Sequence, residues 1–93
     1  MKIEYTEHLE NRLLLRGIGH EVPRYIFEST SERYLDLATG HSVAVKEVEL
    51  YGRMREVMVA YIVEEGCAKL LTVHPLKANE KENRIKGNRW RRL

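Results

Sequence analysis

The sequence predicts an α+β domain in which two N-terminal helices pack on a four-stranded antiparallel sheet, followed by a short basic helix. Three observations indicate this class. Apolar side chains recur at helical spacing within residues 7–29, four runs rich in Val, Ile, Leu and Tyr fill residues 33–74, and turn signals separate those runs. A chain of 93 residues has room for one core, so we expect a single domain over 1–93.

The two N-terminal helices are predicted from their end signals. The first is expected over residues 7–16, because Thr6 is a suitable N-cap and Gly17 a suitable stop. The second is expected over residues 22–29, where Pro23 stands in the first turn and fits the geometry of a helix start.

The strands are predicted at residues 33–37, 42–50, 54–63 and 68–74, with a short extended segment at 2–5. The turn spacing indicates hairpins and therefore an antiparallel meander. Both faces of residues 57–63 are apolar, which predicts a central strand. The alternation slips within residues 42–50, which indicates either a bulge near Lys46 and Glu47 or a strand that is covered on both sides.

Positive charge is concentrated at the C-terminal end of the chain. Residues 77–93 hold seven Lys or Arg and two Glu, whereas residues 1–76 hold nine Lys or Arg and twelve Asp or Glu. Residues 76–93 therefore read as a basic C-terminal tail, with a short helix expected over 80–86. Such a segment is typical of a polyanion-binding region, although a solvated terminus would carry the same charge. The tail residues predicted to bind RNA are Lys77, Lys81, Arg84, Arg89 and Trp90.

Composition and spacing exclude several kinds of site. Cys67 is the single cysteine, so the chain has no disulfide framework of its own and no four-cysteine zinc site. The four histidines lack metal-ligand spacing and no glycine-rich phosphate loop is present, so we expect no metal and no cofactor. No apolar run is long enough for a membrane helix and the N-terminus has no signal-peptide core, so we expect a cytoplasmic protein with no membrane partner.

Two groups of side chains are candidate functional sites. His8, Arg12 and Arg16 recur every four residues, so they share one helix face and predict a surface for a partner or a phosphate, or else a simply solvated face. His74 ends the last predicted strand, on the rim of the sheet face that the helices leave open. An imidazole there suits acid–base chemistry near neutral pH, and a half-buried histidine bonded to backbone is the alternative.

Two segments of the chain resemble the RelE-like ribonuclease-toxin superfamily, and BrnT-type toxins in particular. They are His8-x3-Arg12-Leu13-x2-Arg16-Gly17-Ile18 and Thr72-Val73-His74-Pro75-Leu76-Lys77. The order of helices, meander and short tail is also similar. The resemblance implies a metal-independent endoribonuclease toxin that cleaves mRNA, free or on the ribosome, and that a small antitoxin protein holds inactive.

The same resemblance implies roles for individual residues. In the superfamily, basic side chains on the exposed sheet face and near the C-terminus promote attack of a ribose 2′-OH on the adjacent phosphate. Carried to this chain, His74 is expected to act as acid and base, with Arg55 and Lys46 stabilising the phosphate. The alternative is a non-catalytic RNA-binding or protein-interaction module of the same fold. The oligomeric state stays open.

Overall fold

A six-stranded sheet forms the centre of the fold. The computed structural model describes all 93 residues, in the order β1 (Lys2–Tyr5), α1 (Glu7–Arg16), α2 (Val22–Ser29), β2 (Arg33–Asp36), β3 (Ser42–Leu50), β4 (Arg53–Glu64), β5 (Cys67–Pro75), α3 (Glu80–Lys86) and β6 (Trp90–Arg92). The strands lie side by side in the order β1–β5–β4–β3–β2–β6. β1 pairs parallel with β5, and the other pairs are antiparallel.

The predicted α+β class is confirmed, but the predicted four-stranded antiparallel sheet is wrong. The sheet is mixed and gains a strand at each edge, β1 beside β5 and β6 beside β2. These strands have four and three residues, which is too short to carry a pattern of alternation. The third helix also differs from expectation, because it connects β5 to β6 and does not end the chain.

The helix boundaries follow the local sequence. Thr6 Oγ1 accepts a hydrogen bond from the Leu9 N–H at 3.2 Å, and Gly17 ends α1 in the left-handed region with φ of 63°. α3 also has its predicted bounds, although Asn79, at its N-terminal end, makes no side-chain capping bond. None of the three helices could span a membrane, since the longest has ten residues.

The sheet separates two apolar clusters. The cluster under α1 and α2, here called the helix face, includes Leu9, Leu13, Ile18, Ile26, Ala44, Val48, Val57, Val59, Leu70 and Val73. The cluster on the opposite side, the second face, comprises Tyr34, Val43, Val45, Met58, Ala60, Leu76 and Trp90. β3 contributes to both and pairs with β4 from end to end, so the interpretation as a strand covered on both sides is confirmed. The irregularity lies between β4 and β5 instead, where Leu71 has no partner.

The second face is partly covered, which corrects the expectation of an open face. Trp90 is 2% exposed and stacks on Tyr34, with ring centroids 5.3 Å apart. α3 lies beside it but buries none of its own residues, and Ile85 is exposed. Charged side chains therefore hold α3 in place, and residues 76–93 are built into the fold.

Candidate functional site

His74 lies on the second face at the end of β5. It stands opposite Met58 in the ladder with β4, and paired residues of an antiparallel ladder share a face. Its side chain is 26% exposed, and its Nε2 lies 3.3 Å from Oε2 of Glu80. His74 Nδ1 makes no hydrogen bond within the chain and is not a buried unpaired atom, so it is open to solvent.

The carboxylate of Glu80 connects three donors. Oε2 lies 2.6 Å from Nη2 of Arg84 as well as near His74, and Oε1 accepts the backbone N–H of Lys77 at 2.9 Å. Burial would raise the pKa of Glu80, but these donors outweigh it and lower the pKa below the ordinary value. The carboxylate of Glu80 is therefore ionised. The guanidinium of Arg84, one of its donors, also lies 5.1 Å from the centre of the Trp90 ring.

The electrostatic environment keeps His74 neutral. Burial lowers the pKa of its imidazole, and the charges of Arg84 and Arg16 act in the same direction, whereas Glu80 opposes them. The net pKa lies below 6.5, so the ring is a proton acceptor at neutral pH. The charge of Arg16 contributes to this lowering of the pKa, and the Nε of Arg16 is itself buried with no hydrogen-bond partner.

Lys81 is the second attachment of α3. Its Nζ lies 3.0 Å from Oε2 of Glu32 and 2.5 Å from Oε2 of Glu56, and the hydroxyl of Tyr34 donates to Glu32 at 2.7 Å. Burial alone would lower the pKa of Lys81, but the two carboxylates outweigh it and raise the pKa. The Lys81 ammonium is therefore already paired with two carboxylates inside the protein.

Most of the predicted RNA-binding residues have partners inside the protein. Arg89 forms two hydrogen bonds with the buried carboxylate of Asp36, at 3.1 and 3.2 Å. Lys81 and Arg84 are paired with carboxylates as described, and Trp90 is buried, so its ring is not available for stacking on a base. Of the five predicted residues, Lys77 alone is exposed without an ion pair.

The three predicted catalytic residues do not come together. The ladder partners of Lys46 and Arg55 belong to the helix-face cluster, whereas His74 lies on the second face. The Lys46 ammonium lies 5.6 Å from the ring of Tyr25, and the Arg55 guanidinium lies 5.6 Å from the ring of Tyr51. The sheet therefore stands between Lys46 and the imidazole.

Arg55 also reaches the end of the sheet, where it lines a cleft of about 410 Å³. The charged and amide residues of this cleft are Arg53, Arg55, Glu56, Lys77, Asn79 and Glu82. The cleft places Arg55 on a surface shared with Lys77, near the turn that leads from His74 into α3. It is a polar groove lined by cations from β4 and from the turn before α3.

The predicted face of α1 is present in part. Arg12 Nε donates to His8 Nε2 at 3.4 Å, and both side chains are accessible. Arg16 is only partly exposed, and its carbonyl accepts a hydrogen bond from the Tyr51 hydroxyl at 2.5 Å. Leu15 continues the face of His8 and Arg12 at helical spacing and is 81% exposed.

The most important residue that sequence reasoning missed is Glu80. Its signal was present, because Glu80 and Arg84 are four residues apart on a predicted helix, which is the spacing of a favourable ion pair. The contact of Glu80 with His74 was not visible, since it depends on the path of the chain through Pro75 and the following turn.

No three His, Cys, Asp or Glu side chains come together in a way that could hold a metal ion. Comparisons of the chain with protein-family models, with curated proteins and with solved structures found no match. The chemistry of the second face is therefore the main guide to function.

Proposed function

We propose that this protein is a metal-independent endoribonuclease of the RelE-like kind, with His74 as its acid–base residue. The observation that supports this most is the cluster of His74, Glu80 and Arg84 at the end of β5. It combines an imidazole whose pKa is lowered, a solvent-facing ring nitrogen and a guanidinium beside it. These are the groups that RNA cleavage by 2′-OH attack requires.

The proposed reaction runs through a single imidazole. Neutral His74 accepts the proton of a ribose 2′-OH at Nδ1 while the 2′-oxygen attacks the adjacent phosphorus. The bond from phosphorus to the 5′-oxygen then breaks, and the imidazolium returns its proton to that oxygen. The products are a 2′,3′-cyclic phosphate and a 5′-hydroxyl. Arg84 stabilises the negative charge that develops on the phosphoryl oxygens.

Binding of the RNA backbone is assigned to the cleft beside this cluster. Arg53, Arg55 and Lys77 line it and provide the charges for phosphates that flank the scissile one. Lys46 has no part in this proposal, because its side chain begins on the helix face and, unlike Arg55, Lys46 does not line the cleft.

The antitoxin partner is assigned to the exposed face of α1. His8 and Arg12 offer hydrogen-bond donors and positive charge, and Leu15 adds an apolar side chain on the same face. A small acidic protein with an apolar side chain at matching spacing fits this surface. We propose that the pair acts in the cytoplasm, where the substrate is mRNA, free or on the ribosome.

The test is cleavage of single-stranded RNA by purified protein in the presence of EDTA. We expect His74→Ala to lower the cleavage rate by about 10²–10⁴-fold, the usual contribution of a general acid–base residue, while RNA binding is retained. His41→Ala is the matched control, because the His41 side chain makes no hydrogen bond or ion pair. A folded wild-type protein that leaves RNA intact on and off the ribosome would reject the proposal.

A second candidate is a non-catalytic protein-interaction module of the same fold. It is favoured by Leu14 and Leu15, two neighbouring leucines that are 83% and 81% exposed on α1. Under this alternative, Leu14→Ser with Leu15→Ser abolishes binding of the partner protein, and His74→Ala changes neither binding nor cell growth.

A further inference from the structure

Three donors from different parts of the chain surround the carboxylate of Glu80. His74 comes from β5, the backbone N–H of Lys77 from the connecting turn, and Arg84 from α3. Their donor atoms lie 3.3, 2.9 and 2.6 Å from the carboxylate oxygens. An imidazole, an amide and a guanidinium that converge in this way form the donor set of a phosphate site.

The charge around this group is more positive than one carboxylate balances. Arg84 and Arg16 both lie close enough for their charges to act on His74, and Arg16 forms no ion pair. Of the other acidic residues, Glu32 and Glu56 pair with Lys81 and not with His74 or Arg84, and Glu82 is an exposed residue on α3.

We propose that the Glu80 carboxylate stands in for a phosphate group, and that a phosphodiester binds at this place by displacing it. The inference rests on the proposed function for the identity of that phosphodiester as RNA. α3 buries none of its residues, so Glu80 can move away without unpacking an apolar core. In the free protein the carboxylate then occupies Nε2 of His74 and the guanidinium of Arg84 until a phosphate group arrives, whereas Nδ1 of His74 stays free.

The test is titration with inorganic phosphate, followed by phosphorus NMR, of the wild type, Glu80→Ala and Glu28→Ala. We expect Glu80→Ala to bind phosphate about 10- to 100-fold more tightly than the wild type, because a bound competing anion has been removed. Glu28→Ala is the control, because it removes the same charge from an exposed ion pair with Arg24 on α2 and lines neither this cluster nor the cleft, so we expect wild-type affinity. Glu80→Gln provides the same measurement if the alanine variant fails to fold.

The gain in affinity must also depend on the other members of the cluster. We expect Arg84→Gln to abolish it when combined with Glu80→Ala. Equal phosphate affinities in all folded variants, or a gain that persists without Arg84, would overturn the inference. If the proposed function is wrong and this inference is right, the Glu80 variants still bind phosphate more tightly than the wild type, but RNA stays intact. Cleavage that depends on His74, together with unchanged phosphate affinity, would reject this inference alone.

Discussion

Arg33 connects three parts of the fold through side-chain hydrogen bonds and aromatic contacts. Its Nη1 donates to the Tyr61 hydroxyl at 3.1 Å, and its Nη2 donates to the carbonyls of Phe27 and Thr30. The guanidinium also lies 5.0 Å from the ring of Phe27 and 5.6 Å from that of Tyr61. The side chain thereby joins the end of α2 to the start of β2 and to β4.

We expect Arg33→Ala to lower the free energy of unfolding by about 2–3 kcal/mol, because it removes charged hydrogen bonds and two cation–π contacts. Arg33→Lys keeps the charge but lacks the planar fork, so it should recover only part of the loss. Urea denaturation measures both. Arg24→Ala is the control, since the exposed pair of Arg24 with Glu28 should contribute less than about 0.5 kcal/mol. Equal losses at both positions would contradict this account of Arg33.

Among the elements, α3 depends on charge for its position. Lys81 ties it to Glu32 and Glu56, and Glu80 ties it to His74. We expect Lys81→Ala to cost about 1–2 kcal/mol, an amount limited by the partial exposure of the pair. The loss should shrink as salt is added, and amide exchange in α3 should rise first. A salt-independent loss would mean that the aliphatic stem of Lys81, and not its charge, is what holds α3.

β6 depends on a single buried side chain. Trp90 packs between Tyr34 and the guanidinium of Arg84. We expect Trp90→Ala to lower the free energy of unfolding by about 3–5 kcal/mol, as for other large-to-small changes in a core. Arg91→Ala, at an exposed neighbouring position, should change it by less than about 0.5 kcal/mol. A small effect at Trp90 would show that β6 is dispensable and restore its ring as a candidate RNA contact.

The elements also divide into those that local sequence predicts and those that it does not. The helices and the four meander strands follow from caps, glycines and runs of apolar residues, which are local signals. β1 and β6 were not predicted as sheet strands, because their pairing depends on distant segments. The separation of Lys46 from His74 was also hidden, since the unpaired Leu71 shifts the alternation of β5 by one residue.

At the scale of the whole molecule, the second face makes stability dependent on pH. The pKa of His74 is lowered in the folded protein. Its contribution to the free energy of unfolding is therefore complete above pH 6.5 and is lost as the pH falls through the lowered pKa. Ion pairs or hydrogen bonds lower the pKa of Glu32, Asp36 and Glu80 against the effect of burial. Their contributions are complete above the ordinary carboxyl range and are lost as the pH falls through the lowered values.

We therefore expect the free energy of unfolding to fall in two stages as the pH decreases. Urea denaturation at about pH 7.5, 5.5 and 3.5 measures them, with the fluorescence of Trp90, the only tryptophan, as the probe. His74→Gln should remove the upper stage and leave the lower one. Glu32→Gln should reduce the lower stage alone. A single acid transition unaffected by either variant would contradict the assignment.

The position of β1 at the edge has a consequence for the order of folding. β1 pairs only with β5, and Thr6 bonds to Leu71 at a separation of 65 positions. β6 closes the other edge with a contact between Arg92 and Tyr34 that spans 58 positions. During synthesis, β1 can pair only after β5 has been made. The apolar side of α1 therefore stays uncovered until most of the chain has been synthesised. Such non-local closure is slow and leaves the nascent chain dependent on protection from aggregation until its last strands leave the ribosome.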